Sequence, residues 1–476
     1  MDAWTERVAD WATQVGPETM PAALPEVFRR AVLDTVACMI AGTREAPGRL
    51  LGEWVREEGG APDAHVVGQR LKVPAPAAAW VNGTLGHALD FDDVNGAVHG
   101  HPSTVVVPAA LAVAEQADRD GASLLAGYVA GVEVMAALGR ALGHPHYERG
   151  WHATATLGTV GAAVAAARVL GLTPEAMRRA IGIAVSEAGG VRRNFGTMTK
   201  PLHAGLAARN GVVAALLAAR GFEAAPDALE APAGFFAAFS GDMPPADAET
   251  TAHRALEDLG QAWALLDPGL DVKRYPCCYA THRALDAMLE LVADVHPEPD
   301  AVQAVHVRVP PGGLVPLIYR YATTGLQGKF SMAYVMAAAL VDGQVGLATF
   351  SDAAVAREAV QRLQRRVTAE EDPGLGQHGY GQSPTRAGAV VVEVTMADGR
   401  RWERAVTAPR GSAVRPLTWD ELTAKLQDAV AWAGLAQDAT TMAAAVQELD
   451  RVPSVRRWAE VLAADPVARP VGGIER

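Results

Sequence analysis

Residues 302–309 read Val302-Gln303-Ala304-Val305-His306-Val307-Arg308-Val309, β-branched residues alternating with polar or small ones. That is the period of a strand with one buried face. The chain before it has a different texture. Across residues 1–266 Ala, Leu, Val and Arg dominate, and apolar residues recur at helical spacing in Val27–Ile40, Ala75–Leu89, Pro108–Glu115 and Leu124–Leu142. Thr173-Pro174-Glu175 is an N-cap followed by Pro at the first helical position. Breaks fall at Glu58-Gly59-Gly60-Ala61-Pro62 and Gly143-His144-Pro145, and Ala64–Val67 is the main strand-like exception. Beyond 302–309, Val390–Thr395 and Trp402–Val406 flank a Gly-containing turn and predict a hairpin. Helices are predicted at His282–Val295, Phe330–Leu340 and Ala353–Leu363, and an exposed loop at Glu371–Ser383. After Pro416 the helical pattern returns at Thr418–Ala433 and Ala436–Glu448. The fold class expected is mainly α. A large all-helical domain would comprise residues 1–266 and 412–476, with a smaller α+β domain at 267–411 inserted.

The chain has 476 residues, enough for two large domains at roughly 100–200 residues each. Apolar residues make up 50% and charged residues 20%, which argues against a disordered or collagen-like chain. The net charge of −12 makes a general nucleic-acid binder a poor reading, so no nucleic-acid partner is expected. An anionic substrate would need a local basic site set against that field. Three cysteines, Cys38, Cys277 and Cys278, form no disulfide framework and suit a reducing cytosol. The start, Met1 to Glu6, lacks the basic and apolar regions of a signal peptide. Ala153–Ala167 reads as too short and too weakly apolar to span a bilayer. No membrane association and a cytoplasmic location are therefore expected.

Four clusters carry candidate chemistry. The first is His87-Ala88-Leu89-Asp90-Phe91-Asp92-Asp93, then His99-Gly100-His101-Pro102-Ser103. It reads as a helix end with three carboxylates running into a loop with two histidines. On one helix face, Asp90 and Asp93 would raise one another's pKa unless a cation intervened. Such material suits acid–base work; the alternative is a solvated helix end. The second is Gly150-Trp151-His152, where a histidine at a helix N-terminus would be held neutral by the dipole, or would simply cap the helix. The third runs from Gly190 through Arg192, Arg193 and Lys200 to His203 and Gly205, a glycine-punctuated segment able to present cations to carboxylates. The fourth, Val272-Lys273-Arg274-Tyr275-Pro276-Cys277-Cys278, is again cationic; its cysteines read more simply as small residues packed under a turn.

These clusters do not suit the common cofactor sites. No helix-borne His pair or Cys-x-x-Cys supports zinc, two adjacent cysteines and a distant one cannot hold an iron–sulfur cluster, and neither a P-loop nor a dinucleotide fingerprint is present. Asp90-Phe91-Asp92-Asp93 resembles half of a magnesium–diphosphate site but has no clear second acidic cluster. Acid–base chemistry by side chains alone on a carboxylate anion is the remaining reading, with no metal and no cofactor.

In the same order along the chain, seven stretches resemble the MmgE/PrpD family. They are Leu33-Asp34-Thr35-Val36-Ala37, His87–Asp93, Gly100-His101-Pro102-Ser103, Gly150-Trp151-His152, the block Asn194-Phe195-Gly196-Thr197-Met198-Thr199-Lys200-Pro201-Leu202-His203-Ala204-Gly205, Lys273-Arg274-Tyr275-Pro276-Cys277, and Thr324-Gly325-Leu326-Gln327-Gly328-Lys329-Phe330-Ser331. The resemblance implies a helical domain with a smaller α+β lid domain, a homodimer, and cofactor-independent chemistry on small di- and tricarboxylates. It implies catalytic roles for Asp90, His101, His152, Lys200 and Lys273. Substrate-binding roles fall to Arg193, Arg274, Tyr319, Tyr321, Cys278 and His99. Cys278 stands where the family's cis-aconitate decarboxylases carry a further histidine. The activity expected is dehydration of a small hydroxy-polycarboxylate, of the 2-methylcitrate dehydratase type. Alternatives are an epimerase or isomerase, or a decarboxylase, acting on a related acid; a scaffold or binding protein without activity is the alternative of another class.

Overall fold

The structure is a computed structural model that describes residues 3–240, 253–376 and 388–464. Contacts divide the chain into two compact units. The first comprises Met1–Leu89, Gly100–Asp267 and Leu422–Arg476, and the second Asp90–His99 and Pro268–Glu421. Two features depart from the boundaries expected at 266/267 and 411/412. Asp90–His99 joins the second unit because Val94 and Asp271 exchange backbone hydrogen bonds, both 2.9 Å, and Asn95 donates to the Gly269 carbonyl at 2.9 Å. The later boundary moves to residue 421, where Glu421 pairs with Arg410 at 3.0 Å.

In the first unit, α1 (Trp4–Gln14), α2 (Leu24–Gly42) and α3 (Ala46–Glu58) precede a two-residue antiparallel pairing of β1 (Ala64–His65) with β2 (Lys72–Val73). That small pairing is the strand-like exception expected at Ala64–Val67, in a unit that is otherwise helical. There follow α4 (Ala75–His87), α5 (Ser103–Gln116), α6 (Gly121–Glu148), α7 (Ala153–Leu170), α8 (Pro174–Glu187) and α9 (Thr199–Ala219). Small residues let these helices approach closely. A Cβ at Gly205 of α9 would lie 2.2 Å from the Trp80 carbonyl oxygen of α4. By length and composition, α6, α7 and α9 are apolar enough to cross a membrane. Inside this protein 89%, 89% and 56% of those stretches are buried. The expectation that the α7 stretch stops short is corrected. The helix runs past Arg168 to Leu170 and ends at Gly171, whose left-handed backbone caps it, while the Arg168 Nε donates to the Val15 carbonyl at 2.7 Å.

The second unit holds a four-stranded sheet in the order β4-β3-β5-β6, with β3 Val302–Val309, β4 Val367–Glu371, β5 Val390–Met396 and β6 Arg401–Val406. β5 pairs antiparallel with β3 and β6, and β4 lies parallel to β3. Two helices, α10 (His282–Val295) and α11 (Met332–Asp342), join α12 (Glu358–Gln364) over it. Val305 and Val307 of β3 bury with Leu285, Met288, Met336, Val392 and Val394. The helix expected at Ala353–Leu363 is two pieces. Asp352–Val355 ends before Arg357, whose guanidinium pairs at 2.7 Å with both oxygens of Asp342, and α12 starts after it. The expected Glu371–Ser383 loop opens with a short turn at Pro373–Leu375; residues 377–383 lie outside the described residues.

The chain re-enters the first unit through α13 (Trp419–Ala433), followed by α14 (Ala439–Gln447). Lys425 of α13 pairs with Asp34 of α2 at 2.5 Å, with side chains 1% and 0% exposed. Removing one member leaves the other charge buried without this ion pair. Lys425→Met is expected to lower unfolding free energy by about 3–5 kcal/mol in a denaturant titration, and Lys425→Met with Asp34→Leu to recover most of that loss. Equal loss in both variants would contradict the assignment.

Candidate active site

The first unit gathers four imidazoles. His152 is the N-cap of α7 and is 3% exposed. Its backbone N–H donates to the Gly190 carbonyl at 3.0 Å, and Arg192 N–H donates to the Gly150 carbonyl at 2.8 Å. This short bridge, Trp151 against Val191, fixes the histidine against the polar segment before α9. His152 Nδ1 lies 3.1 Å from Nδ1 of His203, which stands on α9 three residues after Lys200. On its other side the His152 ring stacks on His87, the last residue of α4, at 5.9 Å between centroids. His87 in turn meets His101 edge-on at 4.6 Å. The His101 backbone N–H donates to Thr154 Oγ1 at 3.1 Å, which ties its loop to the first turn of α7. Phe195 closes over His152 at 4.9 Å, and the Lys200 ammonium lies 5.3 Å from the Phe195 ring. Behind them, buried His146 contacts Thr156 Oγ1 at 2.8 Å and the Phe239 carbonyl at 2.9 Å.

Burial and the neighbouring His87, Lys200, His101 and His203 hold His152 well below the ordinary histidine range. Burial and Lys200 lower His203 as well. A neutral His152 was expected from the helix dipole; its first cause is loss of water. An imidazole kept neutral beside an ammonium can exchange a proton with a bound acid while the ammonium holds a carboxylate.

In the second unit, Lys273 is 3% exposed, with its ammonium 3.2 Å from Asp90 Oδ2 and donating to the Asp90 carbonyl at 2.5 Å. Burial opposes its charge, but Asp90, Asp92 and Cys278 outweigh burial and raise its pKa. It is a fixed cation rather than a base. The expected helix end carrying Asp90 and Asp93 is corrected. α4 stops at His87, and Asp90 takes a left-handed backbone (φ 54°), so the two aspartates share no helix face. A non-glycine residue held there costs roughly 1–3 kcal/mol, and such strain clusters at functional sites. His99, also at φ 54° and half-buried, ends this segment.

The remaining candidates are spread more widely. Arg193 is exposed on the turn Arg192–Asn194, while Arg192 is the residue laid over Tyr147, 3.5 Å from the ring centroid. The Arg274 guanidinium turns toward Tyr275, at 6.0 Å. Cys278 is half-buried, and its N–H donates to the Lys329 carbonyl at 3.0 Å. Cys277 is buried against Thr281 with its thiol pushed up to about 12, as befits a packing residue. Tyr319 lines a cavity of ≈ 270 Å³ with Leu314, Leu317, Arg320 and Met332, whereas Tyr321 packs on the sheet core between Arg320 and Arg365. His87 and His203 stand inside the candidate clusters, but the sequence reading gives them no role of their own. The signal for His203 was its i, i+3 spacing from Lys200.

Comparison with known families gives the decisive observation. The MmgE/PrpD N-terminal domain matches residues 6–247, and the MmgE/PrpD C-terminal domain matches residues 275–451. The chain belongs to the MmgE/PrpD family. Its relatives include a cis-aconitate decarboxylase of Aspergillus terreus, 28% identical over 431 residues, which covers 86% of this chain and 85% of that protein. The cis-aconitate decarboxylase of Homo sapiens is 31% identical over 364 residues, 72% of each chain. That of Mus musculus is 27% identical over 420 residues, covering 84% of this chain and 81% of that protein. At this level the MmgE/PrpD chain described here is an enzyme of the lyase class.

The lowered His152 and His203 set a pH dependence. Below about pH 6.5 the unfolded chain takes up protons that these folded imidazoles refuse, so stability falls with acidification, by up to about 1.4 kcal/mol per pH unit for each proton. Above that value the two states bind the same number at these sites, and the contribution is full. Buried Glu133, raised to about 7, and Asp271, raised to about 6, act oppositely, losing stability as pH rises through those values. Thermal unfolding of His152→Asn from pH 8 to 5 is expected to show a shallower acid limb than the parent protein. Parallel curves would contradict a neutral His152.

Proposed function

We propose that this protein is a decarboxylase acting on a small unsaturated tricarboxylate of the cis-aconitate kind. The observation that carries the reading is the match over 86% of the chain to a relative named cis-aconitate decarboxylase. The 2-methylcitrate type of dehydration expected from sequence becomes the second reading, because the comparisons support the lyase class without that leaving group. The proposal includes cofactor-independent chemistry in a cytosolic homodimer; the three free thiols suit a reducing compartment.

The chemistry balances with side chains alone. The bond to one carboxylate breaks and carbon dioxide leaves. Its electron pair forms a new double bond, and the pair of the old one moves to the carbon beside a second carboxylate. A proton is delivered there, giving an unsaturated diacid. Lys200 is assigned to hold a carboxylate and spread the charge. Asp90 keeps Lys273 charged and oriented. His152, neutral at rest, takes up a proton on Nε2 from solvent as the anionic acid binds beside it and delivers that proton to the carbon, which leaves it neutral again; His101 is the alternative donor.

Dehydration is favoured by two features. A neutral His152 is poised to take a proton from carbon, and Cys278 stands where the resemblance places a further histidine of the decarboxylases.

Incubation of the protein with cis-aconitate is expected to release one carbon dioxide per tricarboxylate, leaving a five-carbon diacid visible by product NMR. Lys200→Ala is expected to reduce kcat about 10²–10³-fold. An ultraviolet-absorbing alkene from 2-methylcitrate, with no carbon dioxide from cis-aconitate, would establish the second reading instead. No turnover of either acid would remove both.

A further inference from the structure

The two Nδ1 atoms of His152 and His203 face one another at 3.1 Å, and both rings are buried, 3% and 6% exposed. A hydrogen bond between two imidazole nitrogens needs one N–H and one lone pair. A histidine that exchanges protons with a substrate passes through two states. As an imidazolium it carries N–H on both nitrogens; as a neutral ring it carries one. Only one arrangement keeps the contact in both states: the N–H stays on His152 Nδ1 and the lone pair on His203 Nδ1, with the His203 proton on Nε2. If His203 donated instead, protonation of His152 would set two N–H groups against each other at 3.1 Å.

From this we infer that His203 is the positioning residue of the reaction, accepting the His152 Nδ1–H and thereby leaving His152 Nε2 as the atom that exchanges a proton with substrate. The logic is that of an acceptor behind a catalytic histidine, with an imidazole in the place where other enzymes use a carboxylate. A carboxylate there would draw positive charge onto His152. A neutral acceptor fixes the ring's orientation and tautomer without doing so, which suits a histidine surrounded by His87 of α4, His101 ahead of α5, and Lys200 of α9.

The surroundings hold His203 in place. It rises from α9 one turn after Lys200, the charged group acting on it. Gly190 lies beside the same ring: a Cβ there would reach 3.4 Å from both His203 Cγ and Nδ1, and 2.9 Å from the Ala155 Cβ. Gly190 also has φ +117° and supplies the carbonyl that accepts the His152 backbone N–H. One residue thus sets the His152 backbone and backs the His203 ring.

The inference rests on the proposed lyase reading for its activity assay, but its first test needs no substrate. In the full-length protein with ¹⁵N-labelled histidine at pH 7.5, long-range ¹H–¹⁵N spectra, assigned with His152→Asn and His203→Asn, are expected to place the neutral His152 proton on Nδ1 and the His203 proton on Nε2. The reverse tautomers would overturn the inference whatever the substrate proves to be. With a substrate that is turned over, His203→Leu, which cannot accept, is expected to lower kcat about 100-fold while KM stays within twofold. His203→Asn, whose Oδ1 can accept, is expected to recover kcat to within tenfold of the parent. Unchanged kcat in His203→Leu would overturn the role, as would equal losses in Leu and Asn variants that unfold at the parent temperature. If cis-aconitate is not consumed by the parent protein, the proposed function fails while the tautomer spectrum still decides this point.

Discussion

Exclusion of water from the His152 imidazole is the constraint on which the account depends. A histidine in water is half-charged near pH 6.5 and binds whatever proton the solvent offers. Buried at the head of α7, with His87 stacked on one side, His203 facing it and the Lys200 ammonium nearby, it is held neutral. The helical unit makes this possible by its poverty in bulk. Alanine and glycine along α4, α7 and α9 let three backbones converge, so that side chains from four separate stretches of sequence meet around one ring.

The two candidate lysines are managed by different physics. Lys200 sits at the start of α9 beside Phe195, and its positive field is one reason His152 stays neutral. Lys273 is almost wholly buried, and its charge survives because Asp90 and Asp92 lie in the same unit. The Asp90 backbone is bent into the left-handed region, and both its carbonyl and its carboxylate reach that ammonium. A cation so fixed can bind an acid but cannot serve as its base. Under the proposed function an ammonium holds the acid and an imidazole exchanges its proton.

Much of this was legible in the residues. The helical periodicity before 302–309 and the alternation within it fix the fold class, since side-chain period reports directly on one buried stripe or face. The blocks around His101, His152, Lys200 and Lys273 were readable as chemistry because they combine glycine with ionisable groups. Other features were not readable. Val367–Glu371 is short and ends in two acids, so nothing local marks it as the parallel neighbour of β3. Asp90–His99 belongs to the second unit through the Val94–Asp271 pairing, a contact between residues far apart in sequence. His203 and His87 stood in plain view, yet spacing within an element says which face a residue occupies, not which ring it will meet.

The central claim is that a fixed side chain, not free water, delivers the proton to the electron-rich carbon. Turnover of cis-aconitate in deuterium oxide tests it most directly, because the protonated carbon becomes a CHD centre. The account predicts one carbon-bound deuterium per product molecule, of a single configuration, by NMR after chiral derivatisation. A mixture of both configurations, or a product without carbon-bound deuterium, would contradict it.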